Sequence, residues 1–284
     1  MASTMDESER VGKQVDALAE HLAALAEPTA TDRIVEVTVY GFDHVARTGA
    51  AGAAMEDFLW SAFNALFQLV GRTPPENQKY LVEFVAQLRT KAVPRRDEWP
   101  SSLKGEVYTD LPTFGWVARD LFNYNAHNPS IPEDAQTRLI NITAFLAQLT
   151  ARAASPPNNK SPPTADKPAH DDPLDFSLFA LWALRDAFEQ RCPDGSVSPF
   201  ALRLAAVWLR FAGDRIEKLC SQGYNYPGRQ GAPGPSKVDR ADWKGFCGER
   251  LAAWKEEWKA VRDEFEGDER YGDVVGEMVK MLQW

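Results

Sequence analysis

Leu251, Trp254, Trp258, Val261 and Phe265 advance by three, four, three and four residues, a stripe that an α-helix keeps on one face. Glu249, Glu256, Lys259 and Asp263 fall on the other side. Such a helix has to be covered, because burying one indole contributes about 3 kcal/mol. The same construction recurs upstream in Ala201, Leu204, Ala205, Trp208, Phe211 and Ala212, and in Leu174, Leu178, Leu181, Trp182 and Phe188. Several helices edged with large rings can satisfy one another only by stacking into a shared aromatic interior.

The rest of the chain follows the same period. Val11, Val15, Leu18, Leu22 and Leu25 predict a helix over 6–26, stopped by Pro28. Phe58, Leu59, Ala62, Phe63, Leu66 and Leu69 predict one over 50–70, with Gly71 just past its end. Further helices are predicted over 76–91, 110–123, 133–152, 173–190, 199–222, 242–266 and 268–282. The run from Arg33 to Tyr40 is rich in β-branched residues and reads as a strand, yet one strand has nothing to pair with. It is expected as helix or extended connector.

Residues 154–172 hold Pro156, Pro157, Pro162, Pro163 and Pro168 among Ser, Asn and Lys, a composition that cannot bury enough apolar surface to order itself. This linker separates a helical half over 1–153 from a second over 173–284. One joint core is expected, since neither half alone shows a complete set of covered faces. Residues 223–238, rich in Gly and Pro, read as an exposed loop.

A net charge of −9 disfavours nucleic acid, whose binding rests on a surplus of Lys and Arg, and disfavours anionic membranes as well. No uncharged apolar run reaches the roughly 18–20 residues a bilayer span needs. The first ten residues are polar, without an apolar signal core. Cys192, Cys220 and Cys247 are widely spaced and odd in number, which suits reduced thiols in the cytoplasm.

Phe58-Leu59-Trp60, Asp110-Leu111-Pro112, Ala144-Phe145-Leu146-Ala147, Leu181-Trp182-Ala183-Leu184-Arg185, Ala205-Ala206-Val207-Trp208, Lys244-Gly245-Phe246-Cys247 and Trp254-Lys255 occur in the order seen in a family of uncharacterised fungal proteins. The chain resembles that family, domain of unknown function 3632, over about residues 50–280. Leu139 or Ile140 stands where members often have Trp, and Leu251 and Ala253 sit where they tend to be more aromatic. The resemblance implies a fungal source and a helical fold, and it brings no activity.

Asp171-Asp172-Pro173-Leu174-Asp175 looks like the aspartate-rich pattern by which helical terpene synthases hold magnesium and diphosphate. It follows a proline-rich linker and contains proline, and the second metal motif is missing: after Asp214, position 218 is Lys and position 222 is Gln. Asp172 as N-cap with Pro173 at the first helical position is the better account. His21, His44, His127 and His170 lie on separate segments, with no pair at the spacing of a helical zinc site. No Gly-x-Ser-x-Gly occurs. Cys247 near a helix start reads as structural. Gly228, Gly231 and Gly234 recur among prolines with no preceding strand, unlike a phosphate loop.

The sequence therefore predicts an all-α, irregular array of about nine or ten helices with an aromatic core and a disordered Pro-rich insertion. No catalytic, cofactor-binding or metal-binding residue is assigned. The expected role is a cytoplasmic, non-enzymatic interaction or scaffold protein with a protein partner. The alternative is a small-molecule binder or helical enzyme tied to secondary metabolism, using an apolar pocket between Trp182, Trp208 and Trp254.

Overall fold

The computed structural model describes residues 7–48, 54–91, 108, 110–154, 172–236, 242–265 and 272. Among these it is helical, with nine α-helices, one 3-10 turn at Pro75–Asn77, and no strand beyond one isolated antiparallel bridge, Asn225 with Gly245. The helices are α1 (Glu7–Ala24), α2 (Asp32–Thr48), α3 (Ala54–Arg72), α4 (Lys79–Leu88), α5 (Phe114–Leu121), α6 (Glu133–Arg152), α7 (Ser177–Phe188), α8 (Pro199–Gln222) and α9 (Gly248–Glu264). Apart from residue 272, the helix predicted over 268–282 lies outside the described residues, as does nearly all of the Pro-rich insertion. The packing divides the chain into two compact units: Met1–Asn123 with Thr137–Phe145, and Tyr124–Gln136 with Leu146–Trp284.

In the first unit α1 packs on α2 and α3, α2 on α4, and α3 on α5. The β-branched run forms α2. Val35, Thr38, Val39, Phe42 and Ala46 are buried, a helical face, while Val37 and Tyr40 stay in solvent. Arg33 with Glu36 and Arg47 with Asp43 pair along the exposed side. Helical pairing within the segment answers the lone strand's lack of a neighbour.

Phe42 is the hub of this unit. Its ring lies 5.3–5.9 Å from those of Phe58, Phe63, Phe84 and Tyr108. Phe114 continues the cluster from Phe63 to Phe67, and Phe67 reaches Phe145 of α6. Two buried amides close the end of α3: Asn141 Nδ2 donates to the Gly71 carbonyl, and Gln78 Nε2 donates to the carbonyls of Thr73 and Asn141. They satisfy C-terminal carbonyls that a helix leaves open.

In the second unit α7, α8 and α9 pack on one another. Helix α8 starts on Ser198, whose hydroxyl accepts from the Ala201 N–H, with Pro199 at the first position. It ends on Gly223 in the left-handed conformation, with Gly223 N–H donating to Cys220 and Tyr224 N–H to Leu219, a Schellman closure. The predicted start of α7 is corrected. Asp172 does not cap it. Its carboxylate accepts from Leu174 N–H and Ala154 N–H, tying together residues on either side of the Pro-rich stretch. The helix begins at Ser177, whose N–H donates to Asp175, and the other oxygen of Asp175 meets Arg215 at 2.6 Å. Of the aspartate pattern's described members, two are spent on backbone and an ion pair.

Candidate functional site

The most elaborate polar centre joins the end of α7 to the start of α9. Glu189 follows the last residue of α7, where its backbone N–H still donates to Arg185. Arg250 sits one turn before Trp254, on the apolar face of α9. Both side chains have 0% exposure.

Their geometry is saturated. Arg250 Nε donates to Glu189 Oε1 at 2.7 Å and one Nη2 hydrogen to Oε2 at 3.0 Å, a bidentate pair. Nη1 donates to the carbonyls of Gly231 and Gly245, and Nη2 also to Ala232. Oε1 of Glu189 takes a further bond from Trp254 Nε1 at 2.7 Å, and Oε2 one from the Gly234 N–H at 2.6 Å. A guanidinium has five N–H donors, and all five are used. Trp243 and Trp254 each lie 5.3 Å from the guanidinium carbon. Phe246, Tyr226 and Tyr224 extend the ring cluster, and Tyr226 Oη meets Ser177 Oγ at 2.9 Å. Burial raises the Tyr226 phenol well above its usual range.

A pair with no spare donor and no exposure cannot meet a substrate. What it does is hold backbone: the acceptors and donors around it come from the loop after α8 and the strand-like turn before α9. That turn is fixed to the loop by Tyr226 N–H to Lys244 and Phe246 N–H to Tyr224. The Gly/Pro-rich stretch predicted as an exposed loop is a loop with most of residues 223–236 exposed, and it is clamped at the buried Tyr226, Gly231 and Gly234. Gly231 is required there, because a Cβ would collide with the Lys244 carbonyl. We expect Gly231→Ala to cost about 2 kcal/mol by overpacking, read as a lower urea midpoint; an unchanged midpoint would show the loop yields freely.

Asp186, one turn before Glu189, has its carboxyl pushed up to about 6 from 3.8 by burial, opposed by Arg185 and reinforced by Glu189. Its folded form holds a proton more tightly than its unfolded form. Its contribution is therefore fully present below pH 3.8 and is lost as pH rises through about 6. Asp186→Asn is expected to raise the melting temperature at pH 7.5 and to leave it unchanged near pH 4. Equal shifts at both would refute this.

The three candidate tryptophans are placed as follows. Trp182 is half-buried, stacks on Phe179 at 5.5 Å and donates to the Gln230 carbonyl at 3.0 Å. Trp254 is engaged with Glu189. Trp208 is fully buried, and its Nε1 has no hydrogen-bond partner among the described residues. No ring contact joins any two of the three among those residues. A cleft of about 330 Å³ lies elsewhere, at a kink in α8 where Ala212 leaves helical geometry, lined by Ala151 and residues 209–215. Among the described residues, no three His, Cys, Asp or Glu side chains gather as metal ligands would, and no helix is long and apolar enough to cross a membrane.

Glu189 and Arg250 were not singled out as a site in the sequence. A signal existed for one of them: Arg250 is four residues before Trp254, a cation on an apolar stripe. Nothing local marks Glu189.

The fold and this centre define an all-helical protein pinned by a buried acid–base pair. Residues 63–258 match the family described as "Protein of unknown function (DUF3632)", and the chain belongs to that family. No curated protein and no solved structure matches the chain.

Proposed function

We propose that this is a non-enzymatic interaction or scaffold protein. One observation carries the reading: Trp60 on α3 and Trp116 on α5, helices that pack on each other, are left 37% and 50% exposed. Tryptophan is costly to leave in water and is enriched where proteins meet partners. The best-built polar centre supports the same reading, since its hydrogen bonds are consumed in holding backbone. Affinity purification from the source organism, expected from the family resemblance to be a fungus, should recover one partner reproducibly. Trp60→Ser/Trp116→Ser should lose that partner with unchanged far-UV circular dichroism. Failure to recover any partner, or equal recovery by the double variant, defeats the proposal.

A second reading, a small-molecule binder or helical enzyme of secondary metabolism, is favoured by Trp208. Its fully buried indole N–H has no acceptor among the described residues, as a group that takes a ligand would. A thermal-shift screen of fungal metabolites, with and without magnesium, should then give a stabilising hit that Trp208→Phe weakens. A hit insensitive to that change would place the ligand elsewhere.

A further inference from the structure

Outside the buried pin, the described residues of the second unit place a nucleophile beside a base. Cys192 lies in the loop between α7 and α8 and is half-buried. His127 lies in the loop before α6, only 7% exposed, with Nδ1 at 3.7 Å from Cys192 Sγ.

Both loops are held rigidly. Cys192 N–H donates to the Ser196 carbonyl and Gly195 N–H to the Cys192 carbonyl, each at 2.8 Å, with Gly195 at φ +85°. The His127 side is fixed by Ser198 Oγ donating to the Ala126 carbonyl at 2.6 Å, and by His127 N–H donating to Asn125 Oδ1. Ser198 also caps α8, so a single residue sets the register of the two loops.

We propose that Cys192 is a nucleophilic thiol, with His127 as its base, that forms covalent adducts with small soft electrophiles of the α,β-unsaturated carbonyl class. Nδ1 takes the thiol proton as Sγ attacks the β-carbon. The sulfur–carbon bond forms, the carbon–carbon π bond breaks, and the α-carbon of the resulting enolate receives the proton back from Nδ1. The thiol is added across the double bond, and nothing is oxidised or reduced. Burial lowers the His127 pKa, so the ring is neutral at pH 7 and free to accept that proton, although the Asp186 backbone pulls the other way.

The remaining cysteines are internal references. Cys220 is buried, its thiol pushed up to about 12 by desolvation first and by Cys247 second. Cys247 is half-buried like Cys192, but its sulfur accepts from the Arg250 N–H. The test is N-ethylmaleimide labelling of the full chain at pH 7, followed by peptide mass spectrometry, with Cys192→Ser assigning the peptide. Cys192 should react faster than Cys247 on the order of tenfold, and at least as fast as a free cysteine peptide. His127→Gln should bring Cys192 down to the Cys247 rate while Cys220 stays protected. A Cys192 rate at or below that of Cys247, or one unchanged in a folded His127→Gln protein, overturns the proposal. Should His127→Gln expose Cys220, and so be unfolded, the comparison with the free peptide decides: a Cys192 slower than the peptide refutes an activated thiol.

Discussion

Arg250→Met is expected to destabilise the protein by about 3–5 kcal/mol, the cost of leaving one member of a buried pair uncompensated. That is a large part of the roughly 5–15 kcal/mol by which a domain is folded at all, so low soluble yield is the first expected sign. The substitution keeps an unbranched apolar stem and removes both the donors and the charge. Glu189 then keeps Trp254 and the Gly234 N–H but no counter-charge, and the carbonyls of Gly231, Ala232 and Gly245 lose their donor. Those carbonyls make this pair different from one that a hydrophobic isostere could replace. Glu189→Leu/Arg250→Met should therefore remain strongly destabilised, although the double loss should be smaller than the sum of the two single ones, because each single variant strands a charge. Arg250→Lys is not conservative here. An ammonium offers three donors from one point and cannot span two carboxylate oxygens and three carbonyls. Urea unfolding followed by tryptophan fluorescence measures all four variants. A midpoint for Arg250→Met within experimental error of wild type would show that the pair is decoration.

The elements that were legible are those whose boundaries are set locally. Helices α6 and α8 run over 133–152 and 199–222, the bounds the sequence predicts, because Pro132 and the Ser198-Pro199 pair start them and Gly223 stops the second. Helix α2 was ambiguous for a physical reason. Val35, Val37 and Val39 alternate as in a strand, while Val35, Val39, Phe42 and Ala46 step as in a helix, and only burial decides between them. The start of α7 was misplaced because Asp172 is a good capping residue by type, yet its carboxylate is claimed by the distant Ala154 N–H. The central pair was illegible for the same reason, more strongly. Glu189 and Arg250 are 61 residues apart, and what makes them a unit is a loop that supplies carbonyls from both sides. Sequence periodicity reports which face of a helix is covered. It does not report which charge is brought to another through a loop of glycine and proline.

Phe42→Ala is expected to be the most damaging change in the first unit, at about 3–5 kcal/mol. The side chain is 1% exposed and at the meeting point of α2, α3 and α4, with Tyr108 closing the cluster. Part of the loss is transfer and cavity energy. A further part is particular to the site, since Phe42 makes four ring contacts and each well-oriented pair adds about 0.5–1.5 kcal/mol beyond its area. Phe42→Leu separates the two contributions. It fills most of the volume but forfeits the edge-on approaches to Phe84 and Tyr108, so its cost should fall between those of wild type and alanine. Val37→Ala, on the exposed side of the same helix, should move stability by less than about 0.5 kcal/mol and controls for helix propensity. If Phe42→Leu proves as harmful as Phe42→Ala, ring geometry and not filled volume governs this cluster; if both resemble Val37→Ala, the assignment of Phe42 as its hub is wrong.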